Sequence, residues 1–265
     1  MLVVEAIKKV HRHFTLIFLP VMFDLLSFVV GWLMVGMDGK ERISIRLILE
    51  MGLPSVSHVS NIPLFANNID LLKSSGNLPS FSWLIVIGLI IIGAFLQGGY
   101  ISFLFSIVNG KAFDISNFLH AGKKNWIQFI FLWLILFLGK ISVTAFLVLM
   151  FKIIGVFAAL VLFICLRILF IYLEFTIVVD GVSMAAAFKT CRGYLKKSLF
   201  PSFSLIFIMY FISSLMSYLI HMYWGPYSII ASIFVYGYLM SVIQTIFMMI
   251  LCRTRDELNY QIKAA

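Results

Sequence analysis

The chain has 265 residues, of which 62% are hydrophobic and only 12% charged, and it carries a formal net charge of +9. A water-soluble domain averages about 45–50% apolar and about 25% charged residues, and a fold of this length has too little interior to hide such a surplus. Together with a mean hydropathy of +1.07, this excludes a soluble globular domain and points to an integral membrane protein. The positive charge does not imply a nucleic-acid partner, because the bases fall in short clusters beside apolar runs, where the positive-inside bias places them. Three cysteines, Cys165, Cys191 and Cys252, make no disulfide framework. Continuous apolar runs exclude an outer-membrane barrel, whose strands alternate.

A helix needs about 20 apolar residues to cross the hydrocarbon core. The first such run is 14–36, FTLIFLPVMFDLLSFVVGWLMVG. It is longer than a signal-peptide core and no A-x-A-like site follows at 35–40, so it reads as a retained span. The outer loop 37–80 comes next and reads as two interfacial helices. In 42–51, Ile43, Leu47, Ile48 and Met51 share one helical face while Arg42, Arg46 and Glu50 share the other, and Gly52 and Pro54 stop the helix. A second helix starts near Pro63, aligns Leu64, Phe65, Ile69 and Leu72, and ends at Ser74-Ser75-Gly76. Lys40, Arg42, Arg46 and Lys73 balance Asp38, Glu41, Glu50 and Asp70, so the loop is not built to capture a strongly charged ligand.

Span two is 83–108, entered through Pro79-Ser80. It carries Ala94, Gly98, Ser102 and Ser106 at intervals of four, a small-residue face that lets a helix of this chain or of a second copy approach closely. Gly98-Gly99, and Pro20 in span one, are the expected breaks in the spans. The stretch 126–179 would be about 80 Å long as one helix at ~1.5 Å per residue. It divides near 152–155 into spans 127–150 and 156–179. Spans five and six, 199–223 and 228–252, are joined at Trp224-Gly225-Pro226.

The bases give the orientation. Lys8, Lys9, Arg12, Lys111, Lys123, Lys124, Lys189, Arg192, Lys196, Lys197, Arg253, Arg255 and Lys263 fall on one side. Lys40, Arg42, Arg46, Lys73 and Lys152 fall on the other. That bias predicts that both termini are cytoplasmic. The segments 3–20, 113–131 and 181–203, each ahead of an outward-going span, run through a short amphipathic stretch and a basic cluster into aromatic residues. Three interfacial helices are therefore expected, the later two capped by Asp114 and Ser183.

The runs GGYISFLFSIVNGKAFDISNFLHAGKKNW and IVVDGVSMAAAFKTCRGYLKK resemble a broad bacterial group of six-span proteins. That group is similar to the membrane domain attached to some glycerophosphodiester phosphodiesterases, and also includes stand-alone relatives of unknown function. The resemblance covers about 95–200 and implies a six-span domain in a bacterial plasma membrane. The phosphodiesterase activity of such proteins would belong to a separate soluble barrel, so it is not carried over to this chain.

Four formal charges fall inside spans: Asp24, Lys140, Arg167 and Glu174. Each costs about 2.5–3.5 kcal/mol at mid-depth, so they are expected to face the bundle interior and to pair. Asp24, Lys140 and Arg167 lie near the middles of spans one, three and four, with Gln97 and Gln244 at similar depth in spans two and six. Glu174 follows Arg167 on the same face, about 10 Å closer to the cytoplasm. The expectation is a neutral polar centre in which Asp24 pairs with Arg167 or Lys140, either as an ionic lock or as a pathway. His11, His13, His58, His120 and His221 form no metal set, and no Walker loop, GxSxG, HExxH or CxxC is present.

The sequence thus predicts an all-α, six-span polytopic membrane protein with no cofactor, no metal and no catalytic role. Its expected function is binding in or at the bilayer, as an accessory, immunity-type or envelope-maintenance factor. The alternative is a small transporter or lipid-handling permease that uses the polar centre. The expected partners are the lipid bilayer and another membrane protein or a membrane-active peptide.

Overall fold

The structure, a computed structural model, describes residues 2–37, 44–46, 48–60, 65 and 82–264. In chain order the helices are α1 (Leu2–Arg12), α2 (Thr15–Val35), α3 (Val56–Ser60), α4 (Ser82–Val108), α5 (Ile115–Phe151), α6 (Ile153–Leu169), α7 (Leu173–Val179), α8 (Met184–Lys197), α9 (Leu199–Met222) and α10 (Pro226–Ala264). There is no strand among the described residues. Six helical stretches are long and apolar enough to cross a membrane: Thr15–Met34, Leu84–Val108, Ile115–Phe151, Ile153–Val179, Leu199–Met222 and Pro226–Tyr260. The protein is an all-α integral membrane protein of six spans.

The interfacial helices at the two ends of the expected set are separate elements. In α1, Ala6 and Val10 are buried while Val3, Val4 and Lys8 stay exposed, and the helix packs along the end of α10. Lys9 Nζ donates to the Val108 carbonyl at 2.7 Å, satisfying one of the carbonyls that the end of α4 leaves without a helical partner. Helix α8 buries Ala187, Cys191, Tyr194 and Leu195. Burial, with the Glu174 charge nearby, pushes the Cys191 thiol up to about 11, so this cysteine is a packing residue rather than a reactive one.

The middle interfacial helix is not separate. The Asp114 carboxylate accepts from Ser116 N at 3.0 Å, as expected of the cap, but α5 then runs unbroken for 37 residues into the membrane. Nothing in 115–125 stops a helix, and the Gly122 backbone is needed where the Phe95 ring of α4 presses on it. The turn expected near 152–155 falls at Lys152, which adopts φ +52. Gly98-Gly99 and Pro20 do not break their helices. The break in a span lies instead at 170–172, between α6 and α7, inside span four.

Helix α10 is the centre of the bundle. In its most apolar stretch 78% of residues are buried, against none in that of α5. The cytoplasmic half of α5 packs on α4 through Phe118, Ala121, Gly122, Asn125, Phe129 and Leu132, and no later residue of α5 is buried. In α6 only Gly155 and Ala159 are buried. The outer half of α5 and most of α6 therefore form a hairpin that packs chiefly on itself and turns apolar side chains such as Phe146, Leu149, Phe157 and Val161 outward.

The charge bias carries a test of sidedness. Tyr227, 86% exposed in the first turn of α10, and Ser183, exposed ahead of α8, lie at opposite ends of the bundle. In a cysteine-free background, Tyr227→Cys is expected to react in whole cells with a membrane-impermeant maleimide while Ser183→Cys reacts only after lysis. The reverse pattern would invert the topology.

Candidate functional site

The polar residues expected at mid-depth do converge, but on a different target. Their partner is the described part of the outer loop, 44–46 and 48–60, which enters the bundle and is held along its backbone from the surrounding spans. Ser217 and Ser214 of α9 donate to the Ser44 and Arg46 carbonyls at 3.3 and 3.1 Å. Arg167 Nε of α6 donates to the Leu49 carbonyl at 2.9 Å. Gln244 Nε2 of α10 donates to the Glu50 carbonyl at 3.2 Å, and Gln97 Nε2 of α4 to the Met51 carbonyl at 3.4 Å. At the far end the Asp24 carboxyl of α2 accepts from Ser55 Oγ at 2.5 Å and from Val56 N at 2.6 Å.

The physical reason is that irregular backbone inside a bilayer has no water to bond, and survives only where protein donors and acceptors replace it. An amphipathic helix over 42–51 was expected from the spacing of Ile43, Leu47, Ile48 and Met51. Among its described residues, 44–46 and 48–51 are not helical. The carbonyls that a helix would use internally are taken by side chains of the spans, so tertiary bonds override the local periodicity. The second outer helix, from Pro63 to Gly76, and Pro79-Ser80 lie outside the described residues, except for Phe65, which is buried against Phe28.

The segment is also braced internally. Glu50 accepts from Ser55 N at 3.3 Å and pairs with His58 Nδ1 at 2.5 Å, and Arg46 Nη1 donates to the His58 carbonyl at 3.4 Å. Gly52 is the pivot. It has φ +99, and a Cβ there would meet the Gln97 side chain at 2.8 Å. Gly52→Val meets both obstacles, with left-handed strain of roughly 1–2 kcal/mol before any clash is counted. The variant is expected to lower the thermal midpoint of the detergent-purified protein by about 5–10 °C. A midpoint within a degree of wild type would show that the Gly52–Gln97 contact does not form.

No family model, no curated protein and no solved structure matches this chain.

The expected pairing of Asp24 with Arg167 or Lys140 is not what the structure holds. Asp24 is used by Ser55 and Val56, and Arg167 Nη1 pairs with Glu174 at 2.6 Å across the break at 170–172. That break lets α7 turn Glu174 back toward the guanidinium. Lys140 stays outside this network. It has no hydrogen bond or ion pair among the described residues, and its side chain is exposed. The centre is therefore not the neutral set of four that residue counting implied.

The small-residue face of α4 is an intramolecular seam. A Cβ on Gly98 would lie 3.0 Å from the Ala121 carbonyl oxygen and 3.3 Å from Gly122 Cα of α5. Ala94 is fully buried, while Ser102 and Ser106 line a small cavity nearer the cytoplasm. His221 Nδ1 is engaged by the Ser217 carbonyl at 2.7 Å and His58 by Glu50, so each histidine serves its own segment. Among the described residues no three His, Cys, Asp or Glu side chains converge.

Sequence reasoning missed Ser44, Ser55, Ser214 and Ser217. Two signals were present. Ser214 and Ser217 lie one helical turn apart within an apolar span, and the loop carries Gly-Leu-Pro followed by the small, polar run Ser55-Val-Ser-His-Val-Ser60. That run is an odd composition for a solvated connector and a natural one for a chain threaded between helices.

Proposed function

We propose that the protein is a non-catalytic membrane protein of the bacterial plasma membrane that works by binding in the plane of the bilayer, with its centre acting as a lock. One observation carries this reading: the polar side chains Asp24, Gln97, Arg167 and Gln244 are each spent on the backbone of a single threaded segment. A centre filled by the chain itself commits those groups to the segment, with Gln244 Oε1 alone of their polar atoms recorded as buried without a partner. The surface that remains for a partner is the hairpin of α5 and α6, whose outer half is apolar, exposed and packed on itself. An accessory or immunity-type role fits that face, with another membrane protein or a membrane-active peptide as the partner. Kinship with the bacterial six-span membrane domains is part of the same proposal.

Lys140 favours a second reading, a lipid-handling permease. An exposed cation without an acid partner is costly at membrane depth, and an anionic headgroup drawn in beside α5 would offset that cost. The two readings part on water access. Cysteines at Leu166 and Ile168, beside Arg167, are expected to react slowly with a small charged thiol reagent added outside, and proteoliposomes are expected to show no solute uptake across a broad panel. Fast labelling with protection by one solute or lipid would favour the permease.

A further inference from the structure

Apart from the clamp and the hairpin, the structure holds a cavity of about 290 Å³ between the cytoplasmic ends of α4, α5 and α7. Its lining includes Lys111, His120 and Lys124, together with Ser102, Asn109 and Asn125, and no acidic residue. Among the described residues none of the three basic side chains has a hydrogen bond or an ion pair. Two acids lie near the cavity without lining it. Asp114 accepts from Ser116 N and from Asn117 Nδ2, and Asp180 is held by Arg255 at 3.0 Å and by the Tyr194 hydroxyl at 2.9 Å.

Asn125 is only 3% exposed, yet it lines this cavity. Its Nδ2 donates to the Ala121 carbonyl at 2.9 Å, and its Oδ1 is buried with no partner. That oxygen is closed off from the cavity, so what the cavity offers a ligand is three basic side chains and no acid in its lining.

We propose that this cavity binds a phosphate monoester, with Lys111, His120 and Lys124 on the phosphate oxygens. A phosphate monoester carries about −1.5 to −2 charge at neutral pH and three strong acceptor oxygens, which matches three donors with no acid in the lining. The volume, at the small end of the roughly 300–1,000 Å³ of ligand pockets, suits a headgroup-sized molecule rather than a nucleotide. The cavity lies where α4 and α5 leave the apolar core, so a lipid headgroup would reach it from the bilayer and a free ester from water. The chemistry read is the same in both cases.

The test uses the full chain in two arms. In phosphatidylcholine nanodiscs doped with phosphatidic acid, native mass spectrometry counts phosphatidic acid retained by the protein. In detergent, thermal stabilisation is titrated with phosphoethanolamine at constant ionic strength, with chloride as reference. Saturable binding is expected in at least one arm, weakened about tenfold or more in Lys111→Gln/His120→Gln/Lys124→Gln. Lys111→Arg/Lys124→Arg keeps the charge and is expected to bind, which guards against a fold defect in the triple variant. The exposed pair Lys8→Gln/Lys189→Gln, away from the cavity, is expected to bind as wild type. A response in the lipid arm alone assigns a headgroup site, and in the detergent arm alone a site for a soluble ester. Saturation in neither arm overturns the proposal, as does an equal loss in the Lys8/Lys189 control.

Discussion

Asp24→Leu is expected to lower the unfolding free energy by about 3 kcal/mol, because it leaves Val56 N without its acceptor and Ser55 Oγ with Ser57 Oγ, 2.7 Å away, in place of a carboxylate. Ser55 Oγ and Val56 N both bond this carboxyl, at 2.5 and 2.6 Å, and Asp24 and Ser55 are each 2% exposed. An orphaned donor costs about 1–3 kcal/mol in a site that water does not reach. At about 2–4 °C per kcal/mol for a chain of this order of size, the thermal midpoint should fall by about 10 °C. Asp24→Asn keeps one amide oxygen as acceptor, so about half that loss is expected. A leucine variant melting within a degree of wild type would mean that the segment is not held at this end.

Arg167→Leu should cost a similar amount for a different reason. It leaves Glu174, 4% exposed, without its cation, and the Leu49 carbonyl without its donor. Removing one partner of a buried pair costs about 3–5 kcal/mol, whereas replacing both is often close to neutral. The double variant Arg167→Leu/Glu174→Leu is therefore expected to recover most of the loss. It should remain about 1 kcal/mol below wild type, because the Leu49 carbonyl is still unpaired. Arg167→Lys restores charge for Glu174 but gives up the fork that serves Leu49 and Glu174 together, and should fall between. A double variant no more stable than Arg167→Leu alone would contradict this division of labour.

The six spans were legible in the sequence because membrane insertion demands long apolar runs, and such runs are hard to disguise. The membership of the polar centre was legible for the same reason, since Asp24, Gln97, Arg167 and Gln244 stand out within apolar helices. What they touch was not. Pairing charge with charge at equal depth ignores the possibility that backbone is the partner, and backbone carries no signature in composition. The helical spacing of Ile43, Leu47, Ile48 and Met51 misled because it says nothing of the backbone, and the Leu49, Glu50 and Met51 carbonyls are bonded from the spans. The break at 170–172 was hidden because Phe170, Ile171 and Tyr172 are not breakers. It is maintained by tertiary contacts, with Ile171 and Tyr172 fully buried and the Tyr172 hydroxyl bonded to Ser202 at 2.7 Å. Lys140 was misplaced because charge counting cannot see that the outer half of α5 leaves the bundle.

The central claim is that the outer segment is threaded into the bundle and clamped there. Leu53, 6% exposed between Gly52 and Ser55, reports on it most directly. In a cysteine-free background, Leu53→Cys is to be labelled in whole cells with a membrane-impermeant maleimide, with Tyr227→Cys as the exposed reference. The clamp predicts that Leu53→Cys stays unlabelled over the time Tyr227→Cys reacts fully, and that adding Asp24→Leu makes it reactive. Labelling of Leu53→Cys as fast as Tyr227→Cys with Asp24 intact would place the segment on the surface and contradict the account.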